Sequence, residues 1–276
     1  MNELAIMVAP NGARKGTADH ENLPVTAEAL AREAAVCRAA GAQAIHMHVR
    51  DEAGRHVLDA GRYREATDAV RRAAGPDFVV QITTEAVGRF SPAEQADVVR
   101  QVQPEAVSIA VKELIPDPSA EAAARDLYGW ALAQRIAVQH IVYSPEEFDW
   151  TLGLIERGVI PGERYSLMFP LGRYAADQES HPAEIVPLIA RLRVSDIAQR
   201  TDWWVCAFGK AETPALVAAA ALGGHCRVGF ENSFFNSDGS RALDNAERVR
   251  EVKEALRYIP RPPAGREAVL RALGKP

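Results

Sequence analysis

Several large protein classes are excluded by what this chain lacks. Only three cysteines occur in 276 residues, Cys37, Cys206 and Cys226, an odd number without CxxC spacing. That argues against a disulfide framework and for reduced thiols in a cytoplasmic compartment. Cys206 in WWVCAF and Cys37 on a helical face read as core filler, and Cys226 has no visible partner base. Positive charge is not in excess: 32 Lys and Arg against 37 Asp and Glu leave a net charge of −5, with no basic footprint for DNA or RNA. No run approaches the roughly 20 apolar residues that span a bilayer. The opening MNELAIMVAPNG stops at Pro10 without the basic start of a signal peptide. GxGxxG after the first strand and GxxxxGK[ST] are both missing, which disfavours a dinucleotide-binding open sheet and a P-loop.

What remains is ordinary for a globular protein, 47% hydrophobic and 25% charged. No linker or low-complexity tract divides the chain, so a single domain over 1–276 is expected, with a short tail from about 259. Eight short apolar runs recur along it: LAIMVA (4–9), AIHMHV (44–49), FVVQIT (78–83), AVSIAV (106–111), IAVQHIVY (136–143), YSLMF (165–169), WWVCAF (203–208) and RVGF (227–230). Most are rich in Val, Ile or aromatics and lack alternation, as parallel strands buried on both faces do. Between them lie helical segments with clear punctuation. Thr26 precedes a helix ending at Gly41. Ser91-Pro92, Asp117-Pro118 and Thr213-Pro214 each pair an N-cap residue with proline. Segments 59–74, 145–157, 182–199 and 241–257 have helical periodicity, and Gly75, Gly158 and Gly223-Gly224 stop helices. Eight strand–helix pairs in about 250 residues predict a (β/α)8 TIM barrel.

His46 and His48 lie two apart in one strand, so their side chains share a face. In a barrel that face is the interior near the C-terminal rim, where active sites form. Glu231 follows the eighth run, and the eighth and second strands flank the first, so the three can share one divalent metal with positions left for substrate. A histidine pair buried as hydrogen-bonded core and a surface Glu are the alternatives. Other polar residues fall at strand ends: Asn11 and Arg14, Arg50 and Asp51, Thr83, Thr84 and Glu85, Ser108 within the fourth strand, and Arg227 opening the eighth. Hydroxyls and arginines there can bind a carboxylate. His140 reads as a core residue, and His20, His56, His181 and His225 as surface residues.

The segment VAPNGARKGTADHENLPVTAEALAREAAVCRAAGAQAIHMHVRDEAGRH resembles the N-terminus of the β-keto acid cleavage enzymes. QITTEAVGRFSPAEQ and GGHCRVGFENS resemble the same family's third-strand region and last strand and loop, in register from about residue 5 to 257. The resemblance implies a (β/α)8 barrel holding Zn2+ through His46, His48 and Glu231, with a β-keto acid and acetyl-CoA converted to acetoacetate and a new acyl-CoA. It implies that Arg227 is catalytic, that Thr83 and Ser108 bind substrate, and that the protein is a homo-oligomer, often a tetramer. Three positions depart from the family pattern. Asn232 replaces an Asp thought to support the arginine in proton transfer, which leaves Glu85 as a substitute base. Ser144 stands where many relatives have Glu. Arg14 stands where the aminohexanoate-cleaving members have Glu, so an anionic substrate tail is expected. An amidohydrolase-type metal hydrolase is the alternative, although those enzymes carry HxH on the first strand; a barrel that binds ligand without turnover is another.

Overall fold

The computed structural model describes residues 3–175 and 177–276. In chain order the elements are β1 (Ile6–Val8), α1 (Ala27–Ala40), β2 (Ala44–Met47), β3 (Val49–Arg50), β4 (His56–Val57), α2 (Ala60–Ala74), β5 (Val79–Thr83), α3 (Pro92–Val102) and β6 (Ala106–Ala110). They continue with α4 (Val111–Leu114), α5 (Glu121–Ala133), β7 (Ala137–Ile141), α6 (Pro145–Glu156), β8 (Tyr165–Leu171), α7 (Ile185–Val194), β9 (Thr201–Ala207), α8 (Glu212–Leu222), β10 (His225–Val228), α9 (Asn245–Ala255) and α10 (Arg266–Ala272). Strands β1, β2, β5, β6, β7, β8, β9 and β10 close into a parallel barrel, β10 pairing back to β1. The fold is a (β/α)8 barrel. β3 and β4 form a separate antiparallel ribbon.

Each apolar run overlaps one barrel strand, and the alternate residues of the strands serve two cores. Outward-facing Ile45, Met47, Val80, Ile82, Val107 and Ile109 pack under the helices. Inward-facing Ala5, Met7, Ala44, Val79, Ala106, Ala137, Met168 and Trp204 fill the barrel. The inward set is small at the lower end and polar in the middle, where the register sets His46 beside Gln81, Thr83 beside Ser108, and Gln139 beside Ser166.

Thr26, Ser91 and Ser144 cap their helices through side-chain oxygens, Ser91 in a capping box with Glu94. Three expectations need correction. Helix α8 begins at Glu212 with no side-chain cap, so Thr213-Pro214 lies inside the first turn, where proline still costs no intrahelical bond. The Thr213 hydroxyl instead meets Arg248 and Glu251. Segment 182–199 is broken at Ser195, which is extended, so α7 is flanked by two 3-10 turns. His20, His56 and His225 are buried rather than on the surface, whereas His181 is exposed. The C-terminal tail closes the lower end of the barrel: Ala264, Val269, Leu270 and Leu273 join the interior cluster, and the Ala272 carbonyl accepts from Trp204 Nε1 at 2.8 Å.

Candidate active site

Glu231 is held by the backbone of its own turn. Gly229 has φ +144, and a Cβ there would lie 2.5 Å from the Ala9 carbonyl oxygen, so only glycine lets the chain pass. Gly229 N donates to Glu212 Oε1 at 3.1 Å and Phe230 N to Asn245 Oδ1 at 2.7 Å. Lys15 Nζ donates to the carbonyls of Phe230 and Glu231 at 2.9 and 3.1 Å. Glu212 is in turn paired with Arg248 at 2.9 Å, both fully buried. Asn11 fixes the second strand end, donating to the His48 carbonyl at 2.9 Å and accepting from His48 N at 3.2 Å. Arg50 threads the loop after β1, donating to the carbonyls of Gly12, Ala13 and Lys15.

These supports bring three donors to a common point. His46 Nε2 lies 3.2 Å from His48 Nε2 and 3.5 Å from Glu231 Oε2, and His48 Nε2 lies 3.8 Å from the same oxygen. Tetrahedral zinc with bonds of about 2.0–2.2 Å separates its N and O ligands by roughly 3.3–3.5 Å. Glu231 Oε2 is buried and has no hydrogen-bond partner, which without a cation would leave a charged oxygen unsatisfied. Burial, with Arg227 nearby, pushes His46 down to about 4, and burial holds His48 well below the usual histidine range, so both rings are neutral and offer lone pairs. Burial acts to raise Glu231, but the Arg227 guanidinium and His46 outweigh it and hold the carboxyl below its ordinary range. The donor set fits a divalent metal.

His46 and Glu231 line a cavity at the barrel mouth together with Thr83, Glu85, Tyr143, Arg173, Phe208 and Arg227, and His48 lies buried behind them. Arg227 donates to Glu231 Oε1 at 3.3 Å and to Cys206 Sγ at 3.1 Å, with Nε and Nη1 unpartnered. Glu85 sits 3.9 Å from His48 Nδ1 and 3.4 Å from Arg173. Burial and the Glu231 carboxylate push it up to about 7. Thr83 and Ser108 join through their hydroxyls at 3.4 Å. Asn232 is buried with both amide atoms unpartnered.

Of the residues singled out from sequence, His46, Thr83, Glu85, Arg227 and Glu231 line this cavity, whereas Ser108 is buried beside Thr83 and Asn232 is buried next to Glu231 in the chain. Arg14 is exposed and lines a second cavity that shares Glu85, Arg173, Phe208 and Glu231 with the first. Cys206, read as core filler, touches Arg227, while Cys226 is inert core, its thiol pushed up to about 12 by burial. His140 faces Tyr128, away from the cavity. Arg173, Tyr143 and Gln81 were missed. A signal for Gln81 was present: a polar residue centred in an apolar strand must face a polar interior.

The beta-keto acid cleavage enzyme family model matches residues 3–274. The chain is 26% identical over 289 residues to the 3-keto-5-aminohexanoate cleavage enzyme of Acetoanaerobium sticklandii, covering 96% of this chain and 95% of that protein. It is 24% identical to the 3-oxoadipate:acetyl-CoA acetyltransferase of Cupriavidus necator, covering 98% and 94%. Among solved structures, apo ObcA superposes with a TM-score of 0.72 at 18% identity, over 92% of this chain and 65% of that longer one, a likeness of fold. With a family model matched from end to end on a barrel of this architecture, the chain belongs to the β-keto acid cleavage enzyme family.

Proposed function

We propose that the protein converts a β-keto acid and acetyl-CoA into acetoacetate and a new acyl-CoA, with zinc held by His46 Nε2, His48 Nε2 and Glu231. The observation that carries this reading is the buried, unpartnered Glu231 oxygen facing two imidazole nitrogens beside Arg227. A bound divalent ion would supply Lewis acidity toward the substrate's keto oxygen and carboxylate. The protein's own groups do the rest. Thr83 and Ser108 present hydroxyls to the carboxylate, and Glu85, raised toward neutrality, is suited to take a proton from the carbon between the two carbonyls. That carbon attacks the acetyl thioester and CoA thiolate leaves. The thiolate then adds to the original keto carbon, and the C–C bond breaks to release acetoacetate once its carbon regains the proton. The unpaired N–H groups of Arg227 stabilise charge developing on the oxygens. Asn232 cannot accept a proton as a base and serves only as a hydrogen-bonding amide.

The substrate tail is read as anionic. Arg14 and Arg173 face the same cavity, and like charges about 4 Å apart repel by roughly 4 kcal/mol at an effective dielectric of 20. Names of relatives point both ways, one to an amino and one to a dicarboxylic substrate; the arginines favour the second. The test is a panel of β-keto acids with anionic, neutral and cationic tails, following acetoacetate and acyl-CoA by mass spectrometry. Acetyl-CoA-dependent turnover, fastest for dicarboxylates and reversed in order by Arg14→Glu, is expected. Consumption without acetyl-CoA, or none at all, would overturn the reaction; turnover indifferent to tail charge would overturn the tail assignment alone.

A further inference from the structure

A single file of hydrogen bonds crosses the barrel interior from the mouth to the C-terminal helix. His46 Nδ1 meets Gln81 Oε1 at 2.8 Å, Gln81 Nε2 meets Gln139 Oε1 at 3.2 Å, and Gln139 Nε2 meets Ser166 Oγ at 3.3 Å. The Ser166 hydroxyl reaches the Ala272 carbonyl at 2.7 Å. Gln81, Gln139 and Ser166 are each fully buried, so no water competes for their polar atoms.

The direction of this file is forced from its lower end. A carbonyl oxygen only accepts, so the Ser166 hydroxyl must donate to Ala272. Having spent its proton there, Ser166 Oγ can only accept from Gln139, which therefore turns its NH2 downward and its carbonyl upward. Gln81 is turned the same way for the same reason. Its carbonyl then faces His46 and can be satisfied only by a proton on Nδ1. The neutral imidazole carries one proton, so Nε2 is left with a lone pair toward His48 Nε2 and Glu231. Reversing any member would put a proton on Nε2, which faces His48 Nε2 and Glu231 Oε2 and is where a metal would bind.

We propose that Gln81, Gln139 and Ser166 are positioning residues which, anchored on the backbone carbonyl of Ala272 in α10, set the tautomer of His46. Groups that hydrogen-bond the far nitrogen of a ligating histidine alter metal affinity by about 10–100-fold, and here the outermost partner lies at the opposite end of the barrel. The inference rests on the reading of His46 as a metal ligand only for its consequence, since the tautomer exists without metal.

The experiment separates the two. In metal-free protein with 15N-labelled histidine, long-range 15N–1H spectra at neutral pH report which ring nitrogen of His46 is protonated. The wild type should show Nδ1–H alone. Gln139→Leu and Ser166→Ala, neither touching His46, should each populate the Nε2–H form and weaken zinc about tenfold by chelator competition, with Ser166→Thr restoring both. Met168→Leu, in the same interior but off the file, controls for packing and should change neither. An unaltered His46 tautomer in folded Gln139→Leu, shown by an unchanged far-UV spectrum, overturns the proposal. If the tautomer responds while the wild type binds no zinc, the relay stands and the metal assignment falls.

Discussion

At the lower end of the barrel, Ala5, Ala44, Val79, Ala106 and Ala137 pack against α10, and the polar groups present, Ser166 and Trp204, spend their hydrogen bonds on one carbonyl. At the upper end the barrel presents His48 just after β2, Arg227 on β10, and Glu231 and Asn232 in the turn after it, and these side chains keep buried atoms without partners. Among the described residues the floor has no such orphan. Satisfied polar groups rigidify, whereas unsatisfied ones wait for something to bind. One set of strands thus has a stability end and a chemistry end, as (β/α)8 barrels do.

The most severe way to break that contrast is to remove the reason for the orphans. His46→Ala or Glu231→Ala should abolish bound metal, read by elemental analysis, and lower kcat/KM by at least about a thousandfold, while the far-UV spectrum is kept. Equal metal content in wild type and variant would refute the site. At the next level, Arg227→Lys keeps charge but loses the planar fork; losing one such donor is worth on the order of 3 kcal/mol, so kcat should fall at least tenfold. Glu85→Gln should be far more damaging than Asn232→Ala, and the reverse order would refute Glu85 as the base. The floor should answer in stability instead. Leu270, buried in the interior cluster, should cost about 2–5 kcal/mol as Leu270→Ala, seen in chemical denaturation, with metal stoichiometry kept. Least of all, native protein at pH 8 should take up no iodoacetamide. All three cysteines are buried and burial raises their thiols, Cys206 to about 11. Three should react once the chain is unfolded.

The barrel was legible because buried parallel strands leave unbroken Val and Ile runs, and because Gly41, Gly75 and Gly223 mark where helices stop. His46 and His48 were legible because a two-residue spacing survives any choice of register. Other parts of the mouth left weaker traces. Arg173 stands in a loop with no periodicity, and only the return of that loop, through Ser180 N to the Phe208 carbonyl at 2.9 Å, brings it over the cavity. His20 stacks on Phe230 and Phe234, a contact across more than two hundred residues that no local pattern announces. Thr213 was misjudged because Thr-Pro is equally compatible with a cap and with the second and third helical positions. The last acceptor of the interior file has no side-chain signature at all, since it is a backbone oxygen that any small residue at 272 would offer.

The docking of α10 also orders events in time. Chains acquire structure from their N-terminus as they are made, and residues 264–273 follow every barrel strand in the sequence. Every metal-site donor has been synthesised before them, yet until they arrive the barrel is open below and Ser166 has no carbonyl to meet. A product clipped ahead of Arg266 carries the full set of donors without the acceptor that orients them, so damage to the floor is felt at the opposite end of the barrel.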